Sequence, residues 1–405
     1  MVVHKGLFMT ASPLMSLYSQ SPLSVESGDG VWLTDSDGRV YLDCVQGIAT
    51  NALGHAHPRL VAALTEQANK IWHVSNVFNV PGQEKLARRL TDSCFADVVF
   101  FANTGTEAVE AALKTARRHH AAAGRPERVD IIGFSGSFHG RTYAAINASG
   151  NPSYLDGFGP RLPGFVQLSL DDEAALDRAL ASPTTAAVIV EPVQGEGGAR
   201  PLSGDWLQRL RQKTREHGVL LIYDEVQSGM GRTGKLFAHQ WFEGAEPDIM
   251  TLAKALGSGF PVGACLATAN AASGMTVGVH GTTFGGNPLA MAVALAAFDE
   301  ISGERTLANA RAAAADFKTR LIGLQNDYSD IVVELRGKGL LIGLKLIPNN
   351  RDFMALARDH GLLVAGGGDN IVRLLPPLII NETEIDEAVK RLAATCAAAR
   401  MRAAA

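Results

Sequence analysis

The chain has 405 residues, of which 46% are hydrophobic and 19% charged, with 42 glycines and a formal charge of −4. This balance describes a globular protein with many tight turns and excludes a disordered or fibrous chain. The near-neutral charge leaves no electrostatic footprint for nucleic acid and no polybasic segment for an anionic membrane, so a metabolite is the default partner.

At this length one simple core does not suffice, and two closely packed domains are expected. The four cysteines, Cys44, Cys94, Cys265 and Cys396, contain no close pair and read as reduced thiols rather than a disulfide framework or a zinc site. Leu289 to Phe298 is among the longest apolar runs, far short of the roughly 20 residues of a membrane span. Met1 to Thr10 lacks the apolar core and cleavage site of a signal peptide, which implies a cytoplasmic location, and Met9 serves equally as a start.

In chain order, Val31–Asp43 reads as a hairpin whose turn is Asp35-Ser36-Asp37-Gly38. Short apolar runs then alternate with helical patterns: a strand over Asp97–Phe101 and a helix over Glu107–His120, strands over Val129–Phe134 and Ala186–Val190, a helix over Trp206–His217 and a strand over Val219–Tyr223. That rhythm predicts an α/β fold with a doubly wound, mostly parallel sheet. Ligands of such sheets sit at the carboxyl ends of the strands. After about Leu295 a long helical region leads to Ile331–Leu346, broken at Gly337 and Gly339, then to strands at Leu362–Val364 and Ile371–Leu375. Asn381 with Glu384 three residues on marks the start of a final helix. The alanines at 312–315 are expected inside a helix and those at 397–405 at a frayed end. A large domain over 66–295 is thus expected between the two parts of a smaller α+β domain, 1–65 and 296–405.

The residues after each apolar run carry the chemistry. Val219-Leu220-Leu221-Ile222-Tyr223-Asp224-Glu225 is a buried-looking strand ending in two carboxylates. Asp224 either caps a turn or holds the protonated pyridine nitrogen of a cofactor by a charge-assisted hydrogen bond. Lys254 stands among small and apolar neighbours in Thr251-Leu252-Ala253-Lys254-Ala255-Leu256-Gly257. Burial there would depress its pKa and yield the neutral amine that forms an imine, whereas most lysines are simply solvated. Ala102-Asn103-Thr104-Gly105-Thr106-Glu107 opens a helix, either as an ordinary Thr-capped start or as a phosphate cradle of amides and a hydroxyl. In Gly136-Ser137-Phe138-His139-Gly140-Arg141-Thr142, Phe138 is placed to stack on a flat ring and Arg141 to clamp a carboxylate; the alternative is a core phenylalanine beside a surface arginine. No Gly-x-x-x-x-Gly-Lys-Ser/Thr loop follows a strand, which disfavours nucleotide hydrolysis.

These segments, with Glu191-Pro192-Val193-Gln194-Gly195-Glu196-Gly197-Gly198, Asp224-Glu225-Val226-Gln227-Ser228-Gly229 and Gly281-Thr282-Thr283-Phe284-Gly285-Gly286-Asn287-Pro288, carry a resemblance over nearly the whole chain. The sequence resembles the class III aminotransferases of the type I pyridoxal-phosphate fold, and among them the acetylornithine aminotransferases of arginine biosynthesis. The resemblance implies pyridoxal 5′-phosphate as cofactor, with Lys254 as Schiff-base lysine and Asp224 on the ring nitrogen. Val226 and Phe138 would flank the ring, Gln227 would lie near its hydroxyl, and Gly105 and Thr106 would bind the phosphate. It further implies a homodimer in which Thr283 reaches the neighbouring subunit's phosphate and Asn76 to Asn79 approach the partner's site. Arg141 would bind the substrate α-carboxylate. Glu196 and Arg373 would pair so that one pocket accepts either a carboxylate or a neutral or cationic side chain, with 2-oxoglutarate as amino acceptor. Aminotransferases for succinylornithine, succinyl-diaminopimelate, ornithine or γ-aminobutyrate share every cofactor residue named. A glutamate-semialdehyde aminomutase and a non-catalytic cofactor-binding regulator are the further alternatives.

Overall fold

The computed structural model describes residues 13–19 and 21–404; the candidate starts Met1 and Met9 lie outside them. Its centre is a seven-stranded sheet whose strands run in the order Val98–Ala102, Gly263–Ala267, Ile249–Leu252, Leu220–Asp224, Thr185–Val190, Asp130–Phe134 and Phe165–Leu168. All pairings are parallel except the two made by Gly263–Ala267, which runs antiparallel to both neighbours. The expected mostly parallel, doubly wound sheet is therefore present. Gly263-Ala264-Cys265-Leu266-Ala267 was missed because two alanines and a glycine give no β-branched signal, and Phe165–Leu168 because a glutamine interrupts it.

Burial on both faces explains why the inner strands read as continuous apolar runs. Along each strand successive side chains point to opposite faces. Ile131, Ile189 and Ile222 meet the layer of helix Gly105–Ala122, while Ile132, Val188, Leu221 and Tyr223 meet helices Glu173–Leu180 and Gly204–Glu216. Each such side chain contributes about 1.5–3 kcal/mol of transfer free energy. Helix starts follow their side chains: Thr104, Ser203 and Asn287 each accept a first-turn amide through the side chain. Asn381 and Glu384 form the reciprocal capping box expected of them, with bonds of 3.0 and 2.9 Å, and the last helix runs over Glu382–Ala404.

The two ends of the described chain meet in a second sheet. Val25–Asp29, Trp32–Asp35 and Val40–Asp43 form an antiparallel meander, and Leu362–Leu363 adds in parallel to Val40–Asp43. A third sheet is ordered Val332–Lys338, Leu341–Leu346, Ile371–Leu374 and Ala365–Gly367. It corrects one expectation: the strand runs through Gly337 without a break, and a single turn at Gly339 and Leu340 separates it from the next. It also places Arg373 on an interior strand, paired on both sides. The long helical region comprises Pro288–Ile301 and Glu304–Asp327, the latter containing the 312–315 alanines.

Candidate active site

Five segments that follow carboxyl ends of the central sheet converge on a cavity of about 430 Å³. Gly105, Thr106, Phe138, Arg141, Asp224, Val226, Gln227 and Lys254 all line it, together with His139 and Glu191. Eight residues separated by up to 149 positions in sequence are thus brought to one wall system because each follows a strand of the same sheet.

At one end, helix Gly105–Ala122 begins. Thr104 Oγ1 accepts the Glu107 amide at 3.2 Å and the Thr104 carbonyl accepts the Ala108 amide at 3.1 Å. The first-turn amides of Gly105 and Thr106 have no intrahelical acceptor and, with the helix dipole behind them, form an anion cradle. Thr104 thus caps the helix, and the first two residues of that helix line the cavity. Thr106 Oγ1 also receives the amides of Arg141 and Thr142 at 3.3 and 3.4 Å, which ties this turn to the one carrying Arg141.

In the middle, Asp224 is 3% exposed and accepts three hydrogen bonds. The Val226 amide and the Thr251 hydroxyl donate to Oδ1 at 3.1 and 3.0 Å, and His139 Nδ1 lies 2.7 Å from Oδ2. Burial works against a charged His139, but the Asp224 carboxylate outweighs it and holds the imidazole above its ordinary range. The His139 Nε2 atom is buried without a partner among the described residues. Glu191 accepts the amides of Phe138 and Gly195 at 2.8 and 3.0 Å, and burial pushes its carboxyl up to about 7.

Lys254 follows strand Ile249–Leu252 and adopts φ +43°, a left-handed conformation that costs a non-glycine residue about 1–3 kcal/mol and concentrates at functional sites. Burial pulls its ammonium down to about 8, against the opposing attraction of Glu196. The shift has the direction expected from its apolar neighbours.

Glu196 and Arg373 meet at 2.7 Å, Nη2 to Oε1, but they stand behind the cavity rather than in its lining. Gln227 connects the two regions, since it lines the cavity and its Oε1 accepts Arg373 Nη1 at 3.2 Å. Arg373 Nε and Nη2 also donate to the Gly366 carbonyl. Glu196 opens on a second chamber of about 940 Å³ that Tyr154 and Arg200 line as well. Arg141 is exposed and lies 3.9 Å from the Tyr154 ring centroid and 5.5 Å from that of Phe138, which turns edge-on to Tyr154. Thr283 is exposed and lies outside the cavity lining. Asn76 holds the Thr283 loop from below by donating to the carbonyls of Thr282 and Gly285, both at 3.1 Å.

Residue order alone did not single out His139, Glu191, Thr251 or Tyr154. His139 and Glu191 stand inside quoted motifs, yet their contacts to Asp224, Phe138 and Gly195 have no periodic signature. Tyr154 has no sequence signal at all beyond being aromatic.

Beside this geometry, the sequence over residues 16–396 matches the model of the aminotransferase class-III family. The chain belongs to the class-III aminotransferases. This class-III chain is 63% identical to acetylornithine aminotransferase 2 of Caulobacter vibrioides over 392 residues, which is 97% of each protein. Its fold is similar to that of the N-acetylornithine aminotransferase of Stenotrophomonas maltophilia, with a TM-score of 0.83, 38% identity and coverage of 95% and 98%. It is also similar to the ornithine aminotransferase of Toxoplasma gondii, whose active site holds PLP at partial occupancy, with a TM-score of 0.90, 33% identity and coverage of 95% and 92%. As a class-III aminotransferase the chain acts on an amino donor and a keto acid, and no helix among the described residues is long and apolar enough to cross a membrane.

Proposed function

We propose that this aminotransferase moves an amino group between N-acetylornithine and 2-oxoglutarate in arginine biosynthesis, with pyridoxal 5′-phosphate as cofactor. The observation that carries the proposal is the buried Arg373, paired with the half-buried Glu196 and joined through Gln227 to the cavity of Lys254. An arginine that can exchange a protein carboxylate for a substrate carboxylate suits an enzyme whose two substrates differ in side-chain charge. The identity to a protein named for acetylornithine supports the same donor.

The residues fit the cofactor. Gly105 and Thr106 would hold its phosphate, Asp224 its ring nitrogen and Gln227 its ring hydroxyl, with Val226 and Phe138 against the two ring faces and Lys254 at its aldehyde. Bound there, the cofactor supplies a carbonyl for the amino group and a ring that withdraws electrons from the substrate carbon. Lys254, neutral in part near pH 8, takes the proton from that carbon and returns it as general base and acid. Asp224, locked by three donors of which His139 is one, holds its carboxylate at the cavity without reorganising. Arg141 orients the α-carboxylate, and its stacking on Tyr154 restricts the guanidinium to the cavity mouth.

The proposal extends to a homodimer with shared sites. Trp72, Phe78 and Phe284 are 64%, 65% and 58% exposed, the His73 ring lies 5.0 Å from that of Phe284, and Asn76 bonds to Thr282 and Gly285, so exposed aromatic side chains stand on the two segments that meet beside Thr283. A second copy on those segments would bring Thr283 and Asn76 to Asn79 toward its cavity. We also propose a cytoplasmic location and domain limits at 65/66 and 295/296. Two of the hydrophobic clusters lie wholly between those limits, which supports the inserted domain.

A panel of amino donors assayed with 2-oxoglutarate tests the proposal. N-acetylornithine is expected to exceed ornithine and γ-aminobutyrate by at least about tenfold in kcat/KM, because one missing acyl contact is worth about 1–3 kcal/mol. A succinylated donor turned over about tenfold faster than N-acetylornithine would replace the assignment.

A further inference from the structure

Three arginines are buried among the described residues, Arg211, Arg232 and Arg373. Arg211 pairs with Asp248 at 2.6 Å and Arg373 with Glu196 at 2.7 Å. Arg232 is 1% exposed and faces no carboxylate within ion-pair distance among the described residues. Its Nη1 donates to two carbonyls, Leu340 at 3.2 Å and Pro376 at 2.5 Å, while Nε and Nη2 are buried without a partner among the described residues. Burial pulls this guanidinium down to about 10, against a smaller opposing attraction of Cys44. A cation left unpaired in the interior is unfavourable, so its retention needs a return elsewhere in the molecule.

The location of Arg232 supplies that return. It belongs to the turn that continues from Asp224, Val226 and Gln227. Its own carbonyl accepts the Leu340 amide at 2.9 Å, so side chain and backbone together grip the turn between strands Val332–Lys338 and Leu341–Leu346. Gly339 packs so closely on Thr233 that an added Cβ would stand 2.5 Å from its carbonyl carbon. Pro376, the other acceptor, lies three residues beyond Arg373, just past strand Ile371–Leu374. One guanidinium therefore ties the segment that carries Asp224 and Gln227 to the segment that carries Arg373.

We propose that Arg232 is a positioning residue that sets the register of Arg373 against Gln227 and Glu196, and thereby the preference of the site for substrates with a side-chain carboxylate. This rests on the assignment of Arg373 as the carboxylate-exchanging residue. Without the pin, strand Ile371–Leu374 keeps its neighbours on both sides but loses its tether to the Gln227 segment. Arg373 then meets Gln227 and a bound carboxylate in a broader range of positions.

The test uses the cofactor-loaded enzyme with Arg232→Lys and Arg232→Met, and measures each half-reaction by stopped-flow absorbance. Binding of glutarate, a dicarboxylate with no amino group, is measured by calorimetry in parallel. We expect kcat/KM for glutamate to fall at least tenfold more than kcat/KM for N-acetylornithine. Glutarate Kd should rise at least tenfold, and Arg232→Lys should stand between Arg232→Met and wild type. Equal losses in both half-reactions with unchanged glutarate affinity, in the variant that folds, would overturn the role. If glutarate affinity also ignores Arg373→Ala, then the underlying assignment of Arg373 has failed rather than that of Arg232.

Discussion

Lys254 reports how far a single residue depends on its surroundings. Its burial lowers the ammonium from the ordinary lysine value to about 8, so the neutral amine exists over a much lower pH range than for a solvated lysine. The sign follows directly: below pH 8 the amine is mostly protonated and unreactive, and raising the pH through 8 frees it. Capture of pyridoxal phosphate by the cofactor-free enzyme, followed by absorbance, should therefore rise with pH to a plateau with a midpoint near 8. A rate that keeps climbing beyond pH 10 would show that Lys254 is not the group captured. Arg373 gives the second prediction at this scale. With glutamate its guanidinium has a substrate carboxylate to bind, whereas with N-acetylornithine Glu196 remains its partner. Arg373→Ala should weaken the glutamate half-reaction by about two orders of magnitude and the acetylornithine half-reaction by much less, since an unpaired buried charge costs about 3–5 kcal/mol. Arg141→Ala should weaken both, because both substrates carry an α-carboxylate. Separate stopped-flow traces for the two donors check this, and equal losses for Arg373→Ala would refute the exchange.

Among the elements, the strand–turn–helix unit Val98–Ala102 to Gly105–Ala122 shows why the anion site needs its glycine. A Cβ added at Gly105 would stand 2.8 Å from Val226 Cγ1, on the segment that follows Asp224. Gly105→Ala must push the helix start and the Val226 turn apart, which separates the two ends of the cofactor cradle while leaving the rest of both elements intact. We expect at least a tenfold rise in cofactor Kd by fluorescence titration, with unchanged far-UV circular dichroism. Unaltered affinity would show that the two segments yield without cost. The same unit was legible in sequence because a strand-to-helix transition with Thr104 as cap has a local pattern. The contact between Gly105 and Val226, 121 positions apart, has none.

For the molecule as a whole, the exposed aromatic side chains of Trp72, Phe78 and Phe284 need a covering surface, and a second copy satisfies both that need and the exposed position of Thr283. Sedimentation velocity should give twice the chain mass. Phe78→Asp, which places a charge among those side chains, should shift the population to monomers and reduce turnover at least tenfold. A fully active monomer would remove the shared site.

The amino-acid sequence by itself determined the alternation of buried strands and capped helices, the parallel character of the central sheet, and the reactive types after its strands, because periodicity and capping are local properties of a few consecutive residues. It placed Lys254, Asp224 and the Gly105–Thr106 turn in advance, each at the end of an apolar run. Only the tertiary structure decided that His139 backs Asp224, that Tyr154 steadies Arg141, that Gln227 links Arg373 to the cavity, and that strand Gly263–Ala267 runs against its neighbours. Those facts depend on distances between residues 13 to 169 positions apart, from Arg141 and Tyr154 to Val98 and Ala267. They are set by how helices and sheets pack in three dimensions, and packing leaves no spacing rule in the chain.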